Sequence, residues 1–305
     1  MAINIRNIKK WYLMLSGKSA LHVNQSIGQH FEVDEIKGYY NDMREKVSFA
    51  PEHIDNASIP FVITEKGNKF YFPVAIFQYA FGLLDFYYET KETKYIEHFK
   101  RCVEWTIQNQ LDTGAWDNFS YYYPTHPYGA MAQGEGASLL IRAYTIYGDE
   151  KYLIAAKKAI DFMLIDANVG GCTEYKDDNV ILLEYPHRKA VLNGWIFAWW
   201  GLYDYVLVTN DKSEYRTVLE KSLASMIALL PAFKNANWSI YDLEKRIASP
   251  FYHNLHIAQM QAMYQLTGEQ IFNEYAKRWN RQQKNPFCKG IAFVMKSIQK
   301  ILEHE

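Results

Sequence analysis

Apolar positions along the chain gather into four long blocks, 73–88, 128–147, 189–208 and 251–266, in which apolar and small residues occupy most helical faces. Each is followed by a block of amphipathic period, 90–110, 149–164, 211–230 and 269–283, where charged residues fill the other face. The joints between the blocks resemble one another: Thr90-Lys91-Glu92-Thr93-Lys94-Tyr95, Gly148-Asp149-Glu150-Lys151-Tyr152, Thr209-Asn210-Asp211-Lys212-Ser213-Glu214-Tyr215 and Thr267-Gly268-Glu269-Gln270-Ile271-Phe272. Each offers polar turn and N-cap residues, acid in the first helical turn, and an aromatic to staple the next helix. A helix apolar on most faces must be covered on most faces. Four repeating hairpins of this kind predict an inner ring of apolar helices inside an outer ring of amphipathic ones. The expected fold is therefore all-α, an (α/α) toroid or barrel of helical hairpins.

Other segments follow different periods. Residues 62–72 alternate around Lys66-Gly67-Asn68, which predicts a β-hairpin, and 31–60 is irregular with short strands. The expected division is an N-terminal extension, 1–70, packed on a main domain, 71–305. Segment 1–17 is basic around a short apolar stretch, 11–15, too short for a signal-peptide core or a membrane span. Segment 290–302 reads as an amphipathic helix whose lysines leave peripheral docking of the terminal helices on an anionic membrane open.

Composition changes this picture little. Among 305 residues, 49% are hydrophobic and 24 are tyrosine, enough for a large core and for aromatic clefts of the kind that bind sugars. A net charge of −1 implies no nucleic-acid partner, so any anionic ligand must be caught by a local cluster. Cys102, Cys172 and Cys288 are scattered, which suggests a reducing compartment and no metal site. Gly134-Glu135-Gly136 lacks the preceding strand of a phosphate loop, so its small residues are assigned to close helix contact or sugar approach, and no cofactor is implied.

The loops richest in candidate side chains, 112–127, 170–188 and 235–250, all precede an apolar helix and so share one end of the expected ring. Three segments there set tyrosines among ionisable residues: Glu184-Tyr185-Pro186-His187-Arg188-Lys189, Tyr241-Asp242-Leu243-Glu244-Lys245-Arg246, and Tyr252-His253-Asn254-Leu255-His256. Tyrosine has an ordinary pKa of about 10, and nearby cations favour its phenolate. Arg188, Lys245, Arg246, His253 and His256 could serve that purpose or hold a carboxylate. Trp116 is either a stacking platform beside Asp117 or a core residue in a plain turn.

Four collinear stretches resemble the C-terminal catalytic domain of the D-glucuronyl C5-epimerases. They are Ala130-Met131-Ala132-Gln133-Gly134 with Leu140-Ile141-Arg142-Ala143-Tyr144; Glu184-Tyr185-Pro186 with Leu192-Asn193-Gly194; Tyr241-Asp242-Leu243; and Tyr252-His253 with His256. The similarity runs from about 71 to 279 and looks like that of a compact bacterial-type member. It implies an (α/α) barrel, Tyr185, Tyr241 and Tyr252 as catalytic tyrosines with Glu184 as an adjacent acid, and a uronic-acid polysaccharide or oligosaccharide as partner. Arg188, Lys245, Arg246, His253, His256, Asn193, Gln133 and Trp116 are then expected to bind substrate. Glu244 stands where the family has Arg, and Lys245 or Arg246 is the expected replacement. Read from the residues alone, a polysaccharide lyase, a glycosidase using Glu184 with Asp242 or Asp117, and an inactive glycan-binding module stay open. The expected setting is cytoplasmic, or peripheral to the inner membrane, and oligomerisation is open.

Overall fold

Helices dominate the computed structural model, which describes residues 23–49, 53–64, 67–210 and 214–302. The apolar stretch 11–15, the turn residues Glu65 and Lys66, and the joint residues 211–213 lie outside these described residues. The chain divides into two compact units, Gly28–Ala228 and Met1–Ile27 with Leu229–Glu305. These limits fall elsewhere than at residue 70, because the segment after Gly28 packs into the helices of the larger unit. There Tyr39 stacks on Phe81 at 3.8 Å and the Tyr203 hydroxyl donates to the Val33 carbonyl at 2.7 Å.

In the larger unit a short helix α1 (Arg44–Ser48) and an antiparallel sheet, β1 (His53–Ile54), β2 (Pro60–Ile63) and β3 (Lys69–Phe70), precede the hairpins. Val62 pairs with Phe70, and Gly67 takes the left-handed conformation, φ 80°, that the β2–β3 turn requires. The helices are α2 (Pro73–Thr90), α3 (Thr93–Gln108), α4 (Ala130–Tyr147), α5 (Glu150–Met163), α6 (Leu192–Thr209) and α7 (Glu214–Leu229). Between α5 and α6, where the sequence pattern predicts a loop, lies an antiparallel pair, β4 (Thr173–Lys176) and β5 (Asn179–Leu182).

The helices α2, α4 and α6 have 18 residues each. Every residue of α4 from Ala130 to Ala143 is buried, whereas α3 buries only Phe99, Cys102, Val103 and Thr106, one stripe at helical spacing. All three inner helices end in a left-handed residue, Lys91, Gly148 or Asn210, whose backbone N–H returns to the last turn. Helix α4 crosses α6 closely enough that a Cβ on Gly201 would come 2.3 Å from the Gly134 carbonyl oxygen. Glycines there forgo about 1 kcal/mol of helix propensity each; in exchange the backbones touch. The α6 indoles anchor α7: Trp195 Nε1 donates to Ser222 Oγ at 2.9 Å and Trp199 Nε1 to the Leu219 carbonyl at 3.0 Å.

The smaller unit contains α8 (Pro250–Thr267), α9 (Gln270–Lys284) and α10 (Pro286–Leu302). Helix α8 repeats the inner-helix design, with 18 residues and Gly268 as its left-handed C-cap. Helix α10 packs Cys288 and Ala292 against Trp238, Ile240, Ile247 and Ala248 of the preceding loop. No helix among the described residues is long and apolar enough to cross a membrane.

Candidate functional site

Two clusters hold the side chains singled out above, one in each unit. In the larger unit β5 runs into the turn that carries Glu184 and Tyr185. The turn is fixed by the Ala130 N–H donating to the Leu183 carbonyl at 2.8 Å and the Arg188 N–H to the Tyr185 carbonyl at 2.8 Å. Glu184 is buried with its carboxylate against the first turn of α6; a Cβ on Gly194 would come 2.3 Å from its Oε2. Backbone N–H groups in a helix's first turn favour an anion there. Tyr185 is half-buried on Phe119, ring centroids 4.7 Å apart, with Tyr123 edge-on at 5.9 Å. Arg188 lies over both phenol rings, at 5.2 Å from Tyr123 and 5.6 Å from Tyr185, and donates to the Tyr123 hydroxyl at 3.2 Å. The result is an aromatic wall carrying one guanidinium, a surface suited to a sugar face with an acidic substituent.

Close enough to feel the charge of Glu184 sits a carboxyl to which the sequence reading gave no chemical role. Glu135 is fully buried on α4 and accepts from Gln78 Nε2 at 3.0 Å. Burial pushes its pKa up to about 8, with the negative charge of Glu184 adding to the rise and Lys46 opposing it. A glutamate between two glycines reads as surface or packing in sequence; only the inward face of α4 makes it a buried acid.

In the smaller unit residues 234–250 fold back on themselves. Tyr241 N–H donates to the Arg246 carbonyl at 2.6 Å, Lys245 takes φ 70°, and the buried Asp242 carboxylate is gripped by the Arg246 guanidinium and its N–H. Ser249 caps α8 by accepting from the Tyr252 N–H at 3.4 Å, with Pro250 at the first helical position. The fold-back and the cap bring Tyr241 and Tyr252 together, ring centroids 4.7 Å apart, both half-buried.

Beneath the phenols, Ser239 joins the α8 histidines. Its Oγ lies 2.8 Å from His253 Nδ1 and 3.0 Å from His256 Nδ1. His253 Nε2 is 3.1 Å from the Trp279 carbonyl, which can only accept, so Nε2 carries the proton and Nδ1 accepts from the Ser239 N–H at 3.2 Å. Trp238 stacks on His253 at 3.6 Å. Burial drives both imidazoles down to about 3, so they are neutral at ordinary pH.

These placements correct several expectations. His253 and His256 are uncharged and fully buried, so they anchor the loop to α8 and cannot hold a carboxylate as cations. Trp116 is 0% exposed beneath Gly136, and its backbone N–H and carbonyl are taken by the Gln133 amide at 2.9 and 3.2 Å. Neither side chain has a face left for a sugar. Asn193 is buried in the first turn of α6. Arg246 is tied to Asp242 and lies 3.4 Å from Glu244, while exposed Lys245 donates to the Ala232 carbonyl at 3.2 Å. Arg188 has no carboxylate within ion-pair distance among the described residues.

Comparison with known proteins follows the same residues. The family described as D-glucuronyl C5-epimerase C-terminus matches residues 121–281, more than half of the chain. The chain belongs to this family. The match includes Tyr123, Glu184, Tyr185, Arg188, Ser239, Tyr241, Tyr252 and both histidines, and stops before α10. A D-glucuronyl C5-epimerase of Caenorhabditis elegans is 28% identical over 209 residues, covering 59% of this chain and 34% of that protein. An uncharacterised protein of Methanocaldococcus jannaschii is 31% identical over 157 residues, covering 50% of this chain and 51% of that one. The chain thus spans at most about half the length of these relatives. Among solved structures, a cellobiose 2-epimerase from Bacillus thermoamylovorans superposes with a TM-score of 0.53 at 12% identity, over 74% of this chain and 64% of that one. A sugar epimerase from a ruminal bacterium superposes with a TM-score of 0.52 at 14% identity, over 70% and 59%. At such identities the likeness concerns the fold, and it puts the family member's helical hairpins in the (α/α) toroid class.

The sequence missed Phe119, Tyr123 and Glu135 as neighbours of Glu184 and Tyr185, and Ser239 as the link between the histidines. The run Tyr121-Tyr122-Tyr123 in a long loop was the available signal for the first group. For Ser239 there was none.

Proposed function

We propose that the chain is a carbohydrate epimerase that inverts C5 of a glucuronate-type residue within a polysaccharide or its precursor. The observation that carries the reading is the Tyr241–Tyr252 pair, two half-buried phenols 4.7 Å apart in a chain of this family. C5 of a uronate lies alpha to the carboxylate. A base removes its proton, the electron pair moves into the C5–C6 bond, and the carboxylate becomes an enediolate dianion. A second group delivers a proton to the opposite face, and the electrons return to form the new C5–H bond. No electron leaves the sugar, so the step balances without a redox partner. The deprotonated form of a phenol is a strong enough base, and its protonated form a usable acid.

In this reading Tyr252, with the Tyr241 ring packed against it, supplies a proton-transfer phenol for one face of the sugar. In the larger unit Tyr185 and Glu184 are the candidate proton acceptor and its orienter, and Arg188 is the cation for the substrate carboxylate, where charge develops. Asp242 and Arg246 support the reading differently: their ion pair fixes the turn that presents Tyr241. The test is deuterium uptake at C5 from heavy water into a glucuronate polymer. Uptake by the unaltered chain that falls at least about a hundred-fold in Tyr252→Phe supports the reading. Unsaturated products absorbing in the ultraviolet would instead identify a lyase, and full exchange in all three Tyr→Phe variants would remove the phenols from the chemistry.

A further inference from the structure

The smaller unit carries a surface that the uronate reading does not use. On α10, Phe287, Ile291, Val294 and Ile298 recur at helical spacing, forming one apolar stripe. Phe287 is 72% exposed, Val294 55% and Ile298 51%, with Met295 beside them at 38%. Between residues 275 and 302 the chain holds seven Lys and Arg and no Asp or Glu, within a protein of net charge −1.

The preceding helix adds a pocket. A cavity of about 370 Å³ is lined by Lys234, Glu274, Tyr275, Lys277, Arg278 and Arg281. None of its four cations lies within ion-pair distance of a carboxylate among the described residues. Lys234 sits over the Tyr275 ring at 5.0 Å, and Arg278 donates to the Asn235 carbonyl at 3.4 Å. Arg278 Nε and the Tyr275 hydroxyl are buried with no hydrogen-bond partner in the structure. Glu274 is the one acid in this lining against four cations, and the excess positive charge repels itself unless an anion joins it. Buried donors without partners are uncommon in folded proteins. Arginine's planar fork suits a phosphate oxyanion. The pocket and the stripe lie on consecutive helices joined by the single residue Asn285.

We infer that α9 and α10 form a docking surface for an anionic phospholipid bilayer, the pocket taking a headgroup phosphate and the stripe entering the acyl boundary. The combination decides the occupant. A soluble oxyanion would use the pocket and leave the stripe in water. A second copy would set two strongly basic faces against each other. An acidic polymer would be drawn by the charge but would gain nothing from exposed Phe287 and Ile298. An amphipathic helix in basic surroundings fits the interface of an anionic membrane on both counts.

The test is sedimentation of the full chain with phosphatidylcholine vesicles, with and without phosphatidylserine. Retention by the anionic vesicles alone, reversed by salt, is expected. Val294→Asp with Ile298→Asp, and separately Lys277→Glu with Arg281→Glu, should each lower retention roughly ten-fold or more. These side chains are exposed, and unchanged thermal unfolding by circular dichroism shows that the variants fold. Equal retention on neutral and anionic vesicles, or retention indifferent to both variants, overturns the inference. So does a dimer, seen by ultracentrifugation, that the Asp variant dissociates while vesicles are not bound. Calorimetric binding of inorganic phosphate with no vesicle retention overturns it equally. None of these readouts depends on epimerase activity, so the two proposals fail separately.

Discussion

In the larger unit a buried ion pair, Arg142 with Asp204, ties a loop segment to the helices, whereas in the smaller unit the tie between loop and α8 is a neutral cluster of one serine and two imidazoles. Arg142, 1% exposed, donates to Asp204 at 2.6 Å, to the Ser138 carbonyl at 3.0 Å and to the Gly38 carbonyl at 3.0 Å. Asp204 also accepts from Ser138 Oγ at 2.6 Å and from Tyr40. Tyr39, Tyr40 and Phe81 surround the guanidinium with aromatic faces. The network ties the segment after Gly28 to α4 and α6. In the smaller unit the corresponding tie, loop to α8, runs through Ser239 and two uncharged imidazoles. A buried ion pair specifies one arrangement and fails badly when halved. A neutral hydrogen-bonded cluster avoids burying a net charge beside the Tyr241–Tyr252 pair.

The difference yields graded tests. The largest effect is expected from Arg142→Ala, which leaves Asp204 charged and buried. A loss of about 3–5 kcal/mol by chemical denaturation follows, and Arg142→Met with Asp204→Leu should recover much of it. Comparable losses in the single and double variants would mean the ion pair is not what holds the segment.

The second test is pH. Glu135 has a folded pKa of about 8, above its ordinary 4.5, so its contribution to stability is full below 4.5 and lost as pH rises through 8. His253 and His256 have folded values of about 3, below the ordinary 6.5, so their contribution is full above 6.5 and lost as pH falls toward 3. Stability should therefore fall on both flanks. Glu135→Gln should remove a decline between pH 4.5 and 8 of up to about 5 kcal/mol and leave the histidine-linked loss toward pH 3 in place. A pH profile unchanged by Glu135→Gln would contradict the buried-acid assignment.

Smaller again is Ser239→Ala, which deprives two buried imidazoles of a partner. A loss of about 1–3 kcal/mol is expected, with the histidine-linked loss toward pH 3 moved and the Glu135-linked decline unchanged. The smallest is a gain. Lys91 caps α2 at φ 60°, a conformation that strains a side chain, so Lys91→Gly should stabilise by roughly 0.5–1 kcal/mol. Thermal unfolding reads both.

Much of the fold was legible because hairpin joints are local. Gly148 and Gly268 announce left-handed caps, and the 18-residue inner helices end within a few positions of the pattern. The β4–β5 pair was not legible: four-residue strands joined by Asp177-Asp178 carry too little alternation to separate from loop. The site was legible as residue types and not as environments. Tyr241 and Tyr252 fall together because a fold-back and a helix cap, both local, set their places. The histidines' three-residue spacing is the same on a wet face as in a core, and only tertiary packing against Trp238 and Trp279 makes them neutral. Trp116 could stack on a sugar or fill a core, and the space opened by Gly136 decides for the core.

The most direct measurement is proton NMR of a glucuronate polymer incubated with the chain in heavy water, following the C5 position over time. Loss of the C5 proton signal together with growth of the inverted residue is expected, abolished in Tyr252→Phe and strongly slowed in Tyr241→Phe. A C5 proton that persists unchanged across a panel of uronate polymers, with a folded chain and the phenols intact, would contradict the account.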